Sequence, residues 1–128
     1  MHAKTPGAPP VRSPERIPPE EVLPHVGPSM PRKSFLGKSV KMASLRLQCF
    51  AVDGLICKAC GLKASYFTAD RHLDQIHFHL NLYGLTPSGG EVLFTKDHIH
   101  PKSKGGLDRI ENMQTMCFEC NQAKGSNT

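Results

Sequence analysis

Three hydrophobic patterns emerge once the first third of the chain is passed. Over residues 39–52 the apolar positions Val40, Ala43, Leu47, Phe50 and Ala51 fall near helical spacing. They predict an amphipathic helix stopped by Asp53-Gly54. Cys49 lies inside this stretch and reads as a small buried hydrophobe. Over residues 76–83 apolar and polar residues alternate, with Ile76, Phe78, Leu80 and Leu82 on one face. That predicts a strand, with His77 and His79 on its solvated side. Pro87-Ser88-Gly89-Gly90 supplies a turn, and residues 91–96 form a second arm that delivers Asp97 and His98 at its end. Residues 99–108 fit neither period and predict a loop. A short strand over 112–116 follows, then two helical turns over 118–124 stopped by Gly125. Residues 65–70 carry no clear pattern.

The first third reads differently. Nine of the eleven prolines fall within Met1 to Pro31, among Gly, Ser and charged residues. Such a stretch buries too little apolar surface to offset the entropy of ordering it. Residues 1–36 are therefore expected to be a disordered or extended tail. Residues 37–128 form one small domain of about 90 residues, a size often stapled by metal or disulfide.

No apolar run approaches the ~20 residues of a bilayer-spanning helix, and the N-terminus lacks the apolar core of a secretory signal. A cytoplasmic location is expected, with no membrane partner. There thiols stay reduced, and Cys-x-x-Cys pairs hold metal more often than they form disulfides. The net charge is +5. Four zinc-bound thiolates with their ion bring it nearer +3, a mild basic excess compatible with a polyanion partner.

Cys57/Cys60 and Cys117/Cys120 are two such pairs, separated by 56 residues. Each presents two thiolates to one tetrahedral ion, and four close the sphere. The zinc is accordingly structural, tying the first knuckle to the C-terminal helix.

Asp97, His98 and Asn121 suggest a second centre. Imidazole titrates near neutrality and can take a proton from water, so His98 is the natural general base. Asp97 is a hard anionic oxygen ligand, and Asn121 offers a neutral oxygen. Two protein oxygens plus waters and a phosphate suit Mg²⁺ or Mn²⁺. Adjacent strand residues point to opposite faces, so the strand must end or bulge at Asp97-His98 for both to reach one site. Lys102, Lys104 and Lys124 are candidate phosphate contacts. Lys124 shares a helix face with Asn121 and is the best placed of the three.

Asp97-His98, Asn112 fourteen residues after the His and Asn121 nine further on together resemble the HNH nuclease motif, in a His-Asn-Asn form. The Pro-Lys-Ser-Lys-Gly-Gly loop and the Cys-x-x-Cys-Asn-x-x-Lys ending resemble its zinc-containing subgroup, which includes enzymes common in bacteriophages. The resemblance implies a small α+β fold: a ββα-metal core stapled by a four-cysteine zinc site, preceded by a helix and a β-hairpin extension. It also implies DNA cleavage by single-metal hydrolysis. His98 would be the base, Asp97 and Asn121 would hold the catalytic metal, and Asn112 would pin the loop between the strands. Asn121 stands where many members have His, which favours Mg²⁺ or Mn²⁺ over softer ions. For a phage-encoded protein the location would be the host cytoplasm, and the Pro-rich tail either reaches a phage protein partner or serves as a tether. The competing readings are a zinc-stapled nucleic-acid-binding module without catalysis, and action on structured RNA.

Overall fold

The computed structural model describes residues 11–125. Among these, seven strands and three helices form an α+β unit around one antiparallel sheet. In chain order the strands are β1 (Val11–Arg12), β2 (Lys33–Phe35), β3 (Lys38–Val40), β4 (Ala64–Arg71), β5 (His79–Leu85), β6 (Glu91–His98) and β7 (Met113–Cys117). The helices are α1 (Pro19–Val22), α2 (Leu45–Asp53) and α3 (Phe118–Lys124). The main sheet has the order β1-β4-β5-β6-β7, and β2-β3 is a separate hairpin.

The last three elements make a ββα unit. β6 and β7 pair from Phe94↔Cys117 to His98↔Met113 in unbroken register, and α3 follows β7 directly. Gly125, at a φ of 65°, ends α3 where the sequence predicts its stop. β6 ends at His98 without a bulge. Of the two ways for Asp97 and His98 to share a site, the chain uses the strand end.

α2 is shorter than its apolar spacing suggests. Ser44 caps it by accepting from the Leu47 amide at 3.2 Å, which supplies one of the orphan amides of the first turn with an acceptor. Val40, counted toward the helix by its spacing, is instead buried in β3. The β2-β3 turn is Leu36-Gly37, with φ of 53° and 77°, the left-handed pair that matches the twist of a two-residue hairpin. β5 is also displaced. It starts at His79, and Ile76 is 87% exposed in the preceding loop. Alternation alone did not locate the strand, because Leu80, Leu82 and Tyr83 are all buried and both faces of β5 are covered.

Residues 65–70, featureless by pattern, belong to β4, one of the most buried strands. Tyr66 to Asp70 are all buried because β1, β5 and the N-terminal segment cover it. The core is built from Phe50, Phe67, Phe94, Leu47, Leu80 and Leu82.

The expected disordered tail over 1–36 is corrected by this packing. Residues 1–10 lie outside the described residues, but from Val11 onward the segment is part of the fold. β1 pairs with β4, and Ile17 exchanges two backbone hydrogen bonds with Phe67 at 2.8 and 2.9 Å. Ile17, Val22 and Phe35 join the core. Pro19 sits where a proline costs little: it opens α1, a position whose amide has no intrahelical partner. A composition rule counts prolines, whereas the few apolar residues between them decide the outcome.

Ile17→Ala should therefore destabilise the protein by about 2–4 kcal/mol, the usual cost of truncating a buried isoleucine. A denaturant midpoint unchanged from the parent would return this segment to the status of a tail.

Candidate active site and metal centre

The first cysteine knuckle is a tight turn. The Gly61 amide bonds the Cys57 carbonyl at 2.9 Å and the Cys57 amide bonds the Leu62 carbonyl at 2.9 Å. Gly61 has a φ of 80°, a left-handed conformation that suits glycine. The second knuckle straddles the β7-α3 junction. Thr115 locks the two together. Its amide donates to Asp53 Oδ2 at 2.8 Å, its hydroxyl donates to the Gly54 carbonyl at 2.6 Å, and its carbonyl accepts from the Lys58 amide at 3.1 Å.

The four sulfurs of Cys57, Cys60, Cys117 and Cys120 all lie within 4.8 Å of one another, with Cys60 and Cys117 at 3.9 Å. Tetrahedral sulfurs ~2.3 Å from a zinc ion stand about 3.8 Å apart. The Cys60–Cys117 separation matches that value and the whole cluster is compact enough to close around one zinc ion. Thiol chemistry agrees. Burial opposes ionisation of Cys57, but hydrogen bonds from the amides of Cys117, Cys60 and Ala59 bring its pKa down to about 6. Burial raises Cys117 and Cys120 instead, and neighbouring sulfurs push Cys120 higher still. Holding all four sulfurs as thiolates this close together would require a cation. Cys49 is fully buried apart from the cluster, where burial raises its thiol to about 11.

The second centre is a cleft of about 440 Å³ at the end of β6, lined by Asp97, His98, Lys102, Asn121 and Lys124 among others. Asp97 is buried at 7% exposure, and its Oδ2 accepts from Lys124 Nζ at 2.6 Å and Gln114 Nε2 at 2.9 Å. Lys124 also donates to the His98 carbonyl at 2.8 Å. Asn121 Nδ2 donates to Thr95 Oγ1 at 2.9 Å and to the Lys96 carbonyl at 3.3 Å. A carbonyl can only accept, so the amide nitrogen must face β6, and Asn121 Oδ1 is the end available to a cation. The donor set thus comprises one carboxylate and one amide oxygen, both hard, as Mg²⁺ or Mn²⁺ requires.

His98 Nε2 stands 2.6 Å from Asp108 Oδ1, and Lys102 Nζ is 3.0 Å from Asp108 Oδ2. Hydrogen bonding to His98, then to Lys102, holds the Asp108 carboxyl below its ordinary range. An ionised Asp108 accepts, so Nε2 carries the proton and Nδ1 keeps the lone pair.

The loop between β6 and β7 is held from inside. Asn112 Oδ1 accepts from the His100 amide at 2.8 Å, and Nδ2 donates to the carbonyls of His100 at 3.1 Å and Leu107 at 2.9 Å. Gly106 makes the turn possible, since a Cβ there would stand 1.8 Å from the His100 carbonyl oxygen.

A family model described as HNH endonuclease matches residues 57–127. The chain belongs to the HNH endonuclease family. No curated protein and no solved structure matches it. In this HNH chain the matched segment begins at the first knuckle and takes in β4 to α3. Membership assigns the chain to the nucleases in general terms, in a family that acts on DNA. No helix among the described residues is long and apolar enough to cross a membrane.

Among the sequence-predicted residues, Asp97, His98, Asn121, Lys102 and Lys124 line one cleft of the HNH core, while Asn112 lies behind it in the loop. Lys104 is exposed on that loop. Lys124 differs from expectation, being bonded to Asp97 and not presented freely to solvent. Three contributors escaped sequence reasoning: Asp108, Gln114 and Thr95. Gln114 is found only through the register that sets it opposite Asp97. Asp108 could have been suspected as the acid that closes the Lys/Gly-rich loop.

Cobalt substitution of the purified protein should give one ion per chain with thiolate-to-metal charge-transfer absorption. Cys60→Ser should weaken that band and lower the melting temperature, while Cys49→Ser leaves it intact. A full spectrum in Cys60→Ser would dissolve the four-sulfur centre. Gly106→Ala should cost several kcal/mol or distort the loop, since a Cβ at 1.8 Å from backbone oxygen cannot be relieved by a rotamer change. An unchanged melting temperature would contradict that contact.

Proposed function

We propose that this protein is a metal-dependent DNA endonuclease in which His98 is the general base and Asp97 and Asn121 hold one divalent cation. The observation that carries the reading is the meeting of an imidazole, a buried carboxylate and an amide oxygen in one basic cleft of an HNH fold. A divalent cation bound there would neutralise charge building on the phosphate and the leaving oxygen. His98 takes the proton of the attacking water on Nδ1, because Asp108 holds the proton on Nε2. Asp108 also stabilises the imidazolium that results. Asn112 and Gly106 keep the loop that carries Asp108 at a fixed distance from β6.

Lys124 neutralises Asp97 when no cation is bound. A divalent cation held by Asp97 would displace Lys124 from Oδ2, and its ammonium would then be free to contact a phosphate in the same cleft. Lys102 and Lys104 add sequence-independent attraction for the DNA backbone.

The seating of Lys124 on Asp97 also favours a second reading, a zinc-stapled nucleic-acid-binding module without chemistry. Plasmid nicking separates the two. Cleavage is expected with Mg²⁺ or Mn²⁺, and none without either. His98→Ala should abolish it, a loss of about 10²–10⁴-fold or more for a general base, while zinc content stays at one ion per chain. Binding of DNA with no cleavage in either metal would leave the second reading standing. Asp108→Ala should slow cleavage by about 10- to 100-fold, less than the ~10⁴-fold cost of a buried orienting Asp, because Asp108 is half exposed. An undiminished rate in Asp108→Ala would remove it from the mechanism.

A further inference from the structure

A second basic region lies at the same end of the sheet as the cleft. β5 is antiparallel to β6, with Leu85 paired to Glu91 and Tyr83 to Leu93. The start of β5 at His79 and the end of β6 at His98 therefore face the same way. Asp70 pairs with His79, so the end of β4 is there too. The bridge between Val40 and Phe78 brings the β2-β3 hairpin to the same place.

Three cations, Arg32, Lys38 and Arg71, gather on this end, together with Arg46, whose pKa burial lowers. Lys38 Nζ and the Arg71 guanidinium each lie 5.4 Å from the Phe78 ring centre. Arg71 and Arg46 line a cleft of about 240 Å³ with Asp70, His72, His79 and Asn81. Arg32 is close enough, with Arg46, His72 and His77, to depress the His79 pKa, although burial is the larger cause.

What these cations bond is informative. Arg32 donates to the hydroxyl and carbonyl of Ser39, and Arg46 to Asn81 Oδ1 and the Leu80 carbonyl. Arg71 donates to the carbonyls of His72 and Gln75, and Lys38 to that of Leu36. Every acceptor is neutral. Among the described residues none of the four has a carboxylate at ion-pair distance, in contrast to Arg12 on Glu91 or Lys124 on Asp97. Two acids are nearby. Asp70 is buried and already accepts from Thr68, Asn81 and Tyr83, and Asp74 lies in the exposed loop. The fold thus orients Arg32, Lys38 and Arg71 through neutral acceptors, while Asp70 in the same cleft partly offsets the buried Arg46; the three remaining charges suit polyanion phosphates.

We propose that this end of the sheet is a second phosphate-binding surface, on which Arg32, Lys38 and Arg71 grip the backbone of the DNA held in the catalytic cleft. The inference rests on DNA being the substrate of that cleft. The loop residues Leu73 and Ile76, 75% and 87% exposed, flank the surface at the β4-β5 turn.

The test measures binding of a fluorescently labelled duplex against salt concentration, in full-length protein carrying His98→Ala to prevent cutting. Replacing Arg32, Lys38 and Arg71 together by Gln should weaken binding at least tenfold. The slope of log affinity on log salt should fall by about 2.7, at ~0.9 for each phosphate no longer neutralised. The charge-conserving triple Arg32→Lys, Lys38→Arg, Arg71→Lys should retain the parent slope. Zinc content on the same samples reports folding; if the Gln triple loses zinc, Lys38→Gln alone should still lower the slope by ~0.9. Parent affinity and slope in the Gln variants overturn the proposal. So does equal weakening in the Gln and charge-conserving triples, which would mark a packing effect. Those results leave the nuclease reading intact if the protein without His98→Ala still cuts DNA. Failure of the parent to bind DNA removes both.

Discussion

The convergence of four cysteine sulfurs decides where everything else in this HNH core can be. α3 has only seven residues and buries no residue fully, so its own helical propensity cannot hold it in place. Its position comes from Cys117 and Cys120, which share a centre with Cys57 and Cys60. Thr115 reinforces that tie from the strand side, with bonds to Asp53, Gly54 and Lys58. Because α3 is fixed in this way, Asn121 and Lys124 meet the end of β6. The four-sulfur cluster and the cleft are two sides of one short helix.

The cleft itself is organised by charge matching. Asp97 is buried and sits between Lys124 and Gln114, so its charge is compensated within the fold. His98 points to the opposite partner, an acid on the loop that Asn112 and Gly106 hold in place. Asp97 and His98, adjacent in sequence, are therefore given distinct environments by different elements: α3 and β7 for one, the β6-β7 loop for the other. The cations bonded to neutral acceptors at the end of β4 and the start of β5 extend the positive field away from the cleft along the same end of the sheet.

Local chemistry is what the residues announce on their own. The cysteine spacing, the turn at Pro87 to Gly90, α3 with its stop at Gly125 and the Asp-His pair at a strand end are all short-range signals. Each depends on residues close in the chain, so each is legible from the order of residues alone. The identities of Asn112 and Asn121 were legible as a spaced motif, although what their amides bond was not.

Everything else waited on the packed fold, and the reason is the same in each case: the partner is distant in sequence. β4 is covered from both sides and so has no alternation to read. From Val11 onward the Pro-rich segment is ordered because Ile17 and Val22 find a core made by residues far along the chain, as Ile17 does at Phe67. Ser44 and the pairing of β3 shortened a helix whose apolar spacing began at Val40. Asp108 and Gln114 acquired roles only through loop closure and strand register. Lys124 was expected at a phosphate because nothing in the sequence says that Asp97 lies within 2.6 Å of it.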